Sequence, residues 1–256
     1  MHTLTSIALA LLGFGVLLVL GLACKKQSPA ASASGSAAGA LSLDATPDKP
    51  EGFGYKNAWL AVKADDPQAV ARVLELEDLQ PANWRTGLAA AYDHYDTHVF
   101  VTPSVSGWVL VVGMALPDSG EPGWADKCTP LLEKLGRKYD PAFYFGTHRV
   151  AEYHAWARVD QGRITRAYAY SGDKGITIWN EGPQTKAERD LHLDFFADDA
   201  PPGQSHEYYD RKDLRYPQED DVINLAGAWS INPARLEDMN LPPSSGFVAR
   251  VPQTWR

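Results

Sequence analysis

The chain has 256 residues, of which 45% are hydrophobic, and its 24 Lys and Arg against 32 Asp and Glu give a formal net charge of −8. This acidity argues against nucleic acid as a partner, because proteins that bind it present clustered basic residues to the phosphates. With only two cysteines, Cys24 and Cys128, the fold must depend on a hydrophobic core rather than on a disulfide framework.

The first 26 residues have the pattern of an export signal. Residues 7–23 form an uncharged apolar run, followed by Cys24 and two lysines. The run is shorter than the ~20 residues that span a bilayer comfortably, but it suits the core of a signal peptide. The Ala23-Cys24 pair resembles the lipobox of bacterial lipoproteins. This resemblance implies that residues 1–23 are removed and that Cys24 is acylated, which would anchor the protein in a membrane of the cell envelope with its domain outside the cytoplasm.

Two other interpretations of the N-terminus stay open. If the apolar run is kept as an anchor, Lys25 and Lys26 favour a domain on the cytoplasmic side. Cleavage without lipid attachment is the third interpretation. Residues 27–40 consist largely of Ala, Ser and Gly, which cannot build a core and are typical of a flexible linker. We therefore expect a lipidated cysteine and tether over residues 24–50, and one globular domain over 51–256.

Strand and helix patterns alternate in the first half of this domain, which predicts a mixed α+β fold. Asp66 and Pro67 form a helix-start signal directly after an apolar strand. In chain order the patterns predict a strand over 59–63, helices over 67–77 and 84–92, a hairpin of strands over 99–102 and 108–112, and a helix over 124–139.

The clearest β pattern lies between residues 142 and 179, where the side chains alternate in polarity or size. It predicts a single domain with an antiparallel meander sheet (about 143–179) packed by helices. A two-residue turn at Gln161-Gly162 would pair Asp160 with Arg163 and place Trp156 opposite Ala167. The expected strands cover 143–150, 151–159, 163–170 and 176–179, and helices are expected over 220–229 and 234–239.

Histidines supply the candidates for a chemical site. His94 and His98 have the i, i+4 spacing that places two zinc ligands on one helical face. His148, Glu152 and His154 would share a sheet face if one strand ran unbroken from 143 to 158, and they are the candidates for acid–base or metal chemistry. The alternative interpretation is that all five are ordinary surface or sheet-face side chains.

Signatures of other chemistries do not occur in the sequence. There is no G-x-S-x-G nucleophile motif, and neither G-x-G-x-x-G nor a P-loop, so no cofactor is predicted. Cys128 is expected to be a small buried hydrophobic residue beside Leu131 and Leu132.

Three segments of the domain resemble a family of bacterial proteins of unassigned function. They are GWVLVVG at 107–113, FGTHRVAEYHAWAR at 145–158 and AWSINP at 228–233. The family is recognised by its GWxLVVG and THRVxxYHAWAR strands. These motifs form the fold, and the resemblance transfers no catalytic residue.

Together, these observations predict an exported, lipid-anchored protein whose acidic domain binds a protein or ligand at the envelope without catalysis. A protein that neutralises a toxin, as immunity proteins do, is one specific version. A hydrolase or metal-dependent enzyme that uses His148, Glu152 and His154 is the alternative.

Overall fold

The computed structural model describes residues 41–119, 125–193 and 215–255. These residues form one antiparallel sheet of nine strands and five α-helices, which confirms the α+β prediction. The strands are β1 (Asn57–Lys63), β2 (Glu77–Asn83), β3 (His98–Val101), β4 (Trp108–Val112), β5 (Ala142–His148), β6 (Tyr153–Asp160), β7 (Arg163–Ser171), β8 (Ile176–Glu181) and β9 (Ser245–Arg250). The helices are α1 (Pro67–Val73), α2 (Trp84–Asp93), α3 (Cys128–Gly136), α4 (Lys186–Asp190) and α5 (Glu219–Trp229).

The sheet has the strand order β2-β9-β3-β4-β1-β5-β6-β7-β8. Helices α2, α4 and α5 pack on one face, and α1 and α3 pack on the other. Because both faces are covered, β1 is buried from Asn57 to Val62 without interruption. Among the described residues, no helix is long and apolar enough to cross a bilayer.

The two faces of the sheet differ in composition. The face under α2, α4 and α5 is aromatic, with Trp59, Phe145 and Trp156 all fully buried. The opposite face carries mainly Ala and Val, together with Cys128 from α3, which is buried as predicted. Burial raises the pKa of the Cys128 thiol well above its ordinary value, so this thiol stays protonated and packs as a hydrophobic group.

The hairpin of β3 and β4 and the meander of β6, β7 and β8 form as predicted.

Two helices are shorter than their periodicity predicts. α1 ends at Val73 because the chain takes a left-handed conformation at Glu75, with φ of 57°. α3 begins at Cys128, where the Asp126 carboxylate accepts hydrogen bonds from the N–H groups of Cys128 and Thr129. Trp124, the expected start of this helix, lies outside the described residues.

The register between β6 and β7 matches the prediction only near the turn. Asp160 pairs with Arg163, but a bulge then shifts the pairing by one residue, so that Trp156 lies opposite Tyr168 and not Ala167. The rings of Trp156 and Tyr168 stack with centroids 4.8 Å apart. This shift collects the aromatic side chains on one face and pairs alanine with alanine on the face that packs against α3.

Three elements have no clear pattern in the sequence. β2 is polar and contains Pro81, and it lies at the edge of the sheet, where a missing N–H donor is tolerated. β9 pairs with both β2 and β3 although it is only six residues long. α4 has five residues. The helix expected over 234–239 is instead two 3₁₀ turns, Pro233–Arg235 and Glu237–Met239.

The folded domain begins before residue 51. Leu41 and Leu43 pack against the aromatic core, and Asp48 forms a β-bridge with Ser244. The Asp48 carboxylate also accepts hydrogen bonds from the N–H groups of Trp84 and Arg85, at 2.7 and 3.1 Å, and so caps the start of α2. Residues 41–50 therefore belong to the domain and not to the tether predicted over 24–50; residues 24–40 lie outside the described part.

Candidate functional site

A cleft of about 410 Å³ opens beside the turn that joins β5 to β6. Its walls come from the segment before β1, from this turn, from β6 and β7, and from the start of α5. We call it the His154 cleft. It is lined by Tyr55, Arg149, Glu152, His154, Tyr170, Tyr216, Pro217, Gln218, Glu219 and Asp220.

His154 places a buried imidazole in the wall of this cleft. The residue is 4% exposed and lies in β6, directly opposite Thr147 of β5. Its Nδ1 is 2.9 Å from Thr147 Oγ1. Burial lowers the pKa of His154 to about 4, because removal from water penalises the charged imidazolium. His154 is therefore neutral at physiological pH.

Thr147 connects His154 to the start of α5. Its Oγ1 lies 2.9 Å from His154 Nδ1 and 3.4 Å from Glu219 Oε1. The hydroxyl therefore lies between the buried imidazole and the carboxylate of Glu219.

Glu219 joins the start of α5 to the segment before β1. Its side chain is 11% exposed, and Oε1 accepts a hydrogen bond of 3.0 Å from the N–H of Lys56. The guanidinium of Arg149 lies 3.7 Å from Oε2. Thr147, Lys56 and Arg149 therefore all point polar groups at this one carboxylate, which fixes it beside His154.

Tyrosine rings and a second carboxylate complete the walls. The hydroxyl of Tyr55 donates to Asp220 at 3.0 Å, and this hydrogen bond raises the pKa of Tyr55. Tyr170 and Tyr216 stack with ring centroids 5.9 Å apart. Tyr170 lies on β7 directly opposite His154. The cleft thus combines aromatic faces, carboxylates and an uncharged imidazole.

Of the three residues predicted to share one sheet face, two line this cleft. The shared face required an unbroken strand, but the chain turns between His148 and Tyr153, which pair with each other. His148 consequently lies on the face opposite to His154. Glu152 is in the turn, exposed and with φ of 46°, and it lines the His154 cleft. The prediction of one shared face is therefore wrong. The turn pairs His154 with Thr147, and because successive side chains of a strand point to opposite faces, His148 lies on the other face.

His148 lines a different cavity, of about 220 Å³, on the face that packs against α3. Tyr144 and Tyr153 also line this cavity, and the Tyr153 hydroxyl is 3.2 Å from Ser119 Oγ. Burial raises the pKa of both tyrosines, so their hydroxyls stay protonated.

His94 and His98 do not lie on one helical face as predicted. His94 caps the C-terminus of α2, and His98 is already the first residue of β3. Their rings are nevertheless close, with centroids 5.4 Å apart, and His98 Nδ1 contacts the Thr97 hydroxyl. Within residues 41–119, 125–193 and 215–255, no three His, Cys, Asp or Glu side chains are placed to hold a metal ion.

Sequence reasoning identified Glu152 and His154 but not their partners. Thr147 and Glu219 are 72 positions apart, and no sequence pattern places the acidic start of α5 beside His154. Comparison with known proteins adds no further residue, since no protein-family model, no curated protein and no solved structure matches this chain.

Proposed function

We propose that this chain is an exported, lipid-anchored bacterial envelope protein whose domain binds a ligand in the His154 cleft without chemically altering it. The apolar run of residues 7–23 and the Ala23-Cys24 pair support export and acylation. The Ala/Ser/Gly-rich residues 27–40 suit a tether between the acylated Cys24 and the domain that begins at Leu41.

The observation that supports binding is the position of His154, which is 4% exposed, neutral at physiological pH and part of the wall of a cleft. Polar side chains that converge on a cleft are typical of ligand sites, because they orient the ligand by hydrogen bonds. The volume of about 410 Å³ falls within the range of small-molecule sites, and the surrounding side chains converge on one space.

The same imidazole favours binding over acid–base catalysis. A general base works best when its pKa lies near the pH of its surroundings, whereas that of His154 is about 4. A neutral imidazole with so low a pKa accepts hydrogen bonds at neutral pH but takes up protons poorly. Glu152, the other residue of the enzyme alternative that lines the cleft, is exposed in a turn.

Metabolic labelling with a palmitate analogue tests the anchor. We expect the full chain to be labelled, Cys24→Ala to lose the label, and Cys128→Ala to keep it because that thiol is buried. The intact mass of protein purified from membranes should correspond to a chain that begins at an acylated Cys24. Unmodified full-length protein would contradict both export and lipid anchoring.

Thermal-shift screening of the membrane-purified protein against envelope metabolites tests the cleft. A ligand of the cleft should stabilise the wild-type protein and bind His154→Leu at least about tenfold more weakly, since leucine removes the ring nitrogens from the wall of the cleft. His94→Leu is the matched control, because His94 lies at the end of α2 and does not line the cleft. If every ligand found binds both variants equally, the cleft is not the binding site.

A further inference from the structure

A second groove, of about 490 Å³, lies beside the His154 cleft, and three tyrosine rings form much of its wall. It is bounded by the segment before β1, by the C-terminal end of α2 and by the turn that joins β5 to β6. We call it the tyrosine groove, after Tyr55, Tyr92 and Tyr95. Tyr55 and Arg149 line both the groove and the cleft, so the two are neighbours.

The tyrosine groove gathers most of the large apolar side chains that the described residues expose. These side chains are Tyr55, Tyr92, Tyr95, Val150 and Met239. The three tyrosines are 46%, 40% and 63% exposed. Val150, which directly follows Arg149 in the turn after β5, is 72% exposed. Contact of apolar surface with water is unfavourable, and a concentration of such surface in one place marks an interaction site.

Two of these tyrosines are held in place by their hydroxyls. The hydroxyl of Tyr55 donates to Asp220, and that of Tyr92 donates to the backbone carbonyl of Tyr55, both at 3.0 Å. Each ring is thus fixed at its polar tip while much of the residue stays in contact with solvent. A fixed ring loses little conformational freedom when a partner covers it, so the groove is pre-organised for binding.

The exposure of the rings favours a macromolecule over a small molecule as the partner. Small-molecule sites enclose most of the surface of their ligand, whereas rings that are themselves about half exposed form an open wall. Tyrosine and arginine, both present in this groove, are among the residues that contribute most to the affinity of protein–protein interfaces. Met114 adds a flexible side chain that adapts to the shape of a partner.

The charge of the groove indicates what the partner presents. The chain has a formal net charge of −8, yet the lysine and arginine that line the groove, Lys56 and Arg149, face no carboxylate among the other described lining residues. Interacting surfaces are complementary in charge, so these two cations favour a partner with carboxylates. An anionic bilayer fits less well, because the net negative charge of the chain opposes its approach.

Neither cation is committed to a strong contact with Glu219, the carboxylate behind the groove. The hydrogen bond between Lys56 and Glu219 uses the backbone N–H of Lys56 and not its side chain. Arg149 lies 3.7 Å from Glu219, with 62% of its side chain exposed. Exposed ion pairs of this kind are weak because water screens them, so Arg149 turns to the carboxylate of a partner at small cost.

We infer that the tyrosine groove is the docking surface for a second protein, which presents a segment with carboxylates among apolar side chains. The apolar side chains of this segment cover Tyr92, Tyr95 and Val150. Its carboxylates pair with Lys56 and Arg149. The inference goes beyond ligand binding in the His154 cleft and does not depend on it.

Selection of a phage-displayed library of random peptides on the full chain, purified from membranes in a neutral detergent, tests the inference. We expect the enriched peptides to combine Asp or Glu with Leu, Ile, Phe or Trp. Synthetic copies should bind saturably in fluorescence anisotropy, and replacing their Asp and Glu by Asn and Gln should weaken binding at least about fivefold. Enrichment of basic peptides, or of no peptide, would overturn the inference.

Variants locate the binding. Tyr95→Ala and Lys56→Glu change exposed side chains of the groove, and each should weaken peptide binding at least about tenfold. Met239→Ala and Lys186→Glu are the matched controls, because both residues are exposed and neither lines the groove. They should leave the affinity within about twofold. An equal loss in the controls would show unspecific attraction and would overturn the inference.

Two further measurements separate this docking surface from its alternatives. His154→Leu should leave peptide binding within about twofold; a loss there with none in Tyr95→Ala would place the peptide in the His154 cleft, and the inference would fail while the proposed function stands. Light scattering should show a monomer. A dimer that Tyr95→Ala dissociates would show that the groove binds a second copy of this chain, and would overturn the assignment to a separate partner.

Discussion

Thr147 and His154 lie opposite each other on β5 and β6, with Thr147 Oγ1 2.9 Å from His154 Nδ1. Through the same oxygen, Thr147 also reaches Glu219 at the start of α5. One hydroxyl therefore joins the sheet, the buried imidazole and the helix that closes the cleft. It holds the ring in place beside the carboxylate of Glu219.

Replacing this hydroxyl should destabilise the domain. Thr147→Val keeps the shape of the side chain but leaves Nδ1 of the buried His154 ring without its hydrogen-bond partner, and we expect a loss of about 1–3 kcal/mol in the free energy of unfolding. Denaturant unfolding at neutral pH measures it. Thr129→Val in α3 is the control, because Thr129 bonds to Asp126 through its backbone N–H, which valine keeps, and it should change stability by less than about 0.5 kcal/mol. Equal effects of the two substitutions would contradict the role of Thr147.

The low pKa of His154 predicts a loss of stability in acid. The pKa is about 4 in the folded protein against 6.5 for an ordinary histidine, so between these values the unfolded chain binds more protons than the folded one. The free energy of unfolding must then fall as the pH falls, by about 2 kcal/mol from this group between about pH 7.5 and about pH 5. His154→Gln should remove this part of the pH dependence, and His94→Gln should not. A pH dependence unchanged in His154→Gln would refute the buried neutral imidazole.

A buried ion pair attaches α4 to the sheet. Arg166 Nε lies 2.8 Å from Glu188 Oε1, and the two side chains are 4% and 0% exposed. The same carboxylate oxygen accepts a hydrogen bond of 2.9 Å from Trp156 Nε1. Glu188→Gln leaves the charge of Arg166 buried without a counter-charge, so we expect a loss of about 3–5 kcal/mol in the free energy of unfolding.

The control for this pair lies on the same helix. Asp190 pairs with Lys186, and both side chains are mostly exposed. Asp190→Asn should therefore cost less than about 1 kcal/mol. Urea unfolding of both variants gives the comparison, and a cost of Glu188→Gln as small as that of Asp190→Asn would show that the pair does not hold α4.

Close pairing of β9 with β3 leaves no room at Gly246. A Cβ added there would lie 2.2 Å from the carbonyl oxygen of Val101, which is backbone and cannot turn aside. Gly246→Ala should destabilise the domain by about 1–3 kcal/mol. Gly227→Ala in α5, where the nearest atom is 3.1 Å away, should cost clearly less, since alanine also favours the helix. Thermal unfolding compares the two, and the reverse order would contradict the placement of β9.

The sequence predicts those helices and strands whose pattern lies within the element itself or in the adjacent turn. The turn after Asp160 and the alternation around it gave the meander, but nothing in the sequence marks the bulge that brings Trp156 opposite Tyr168. The polar edge strand β2 has no pattern of its own, because its pairing with β9 is set by the whole sheet. His154 is a candidate in the sequence because of its spacing from His148 and Glu152. Glu219 has no such signal, because only the packing of α5 against the sheet brings it beside Thr147.

The nitrogen resonances of the His154 imidazole test the central claim most directly. Long-range ¹H–¹⁵N spectra of the labelled full chain, recorded as the pH is lowered from neutral, follow the protonation of this ring. We predict that the ring stays neutral well below the ordinary histidine pKa of 6.5, because burial lowers the pKa of His154 to about 4. A ring that becomes protonated at the ordinary histidine pKa would contradict the buried neutral imidazole in the wall of the His154 cleft.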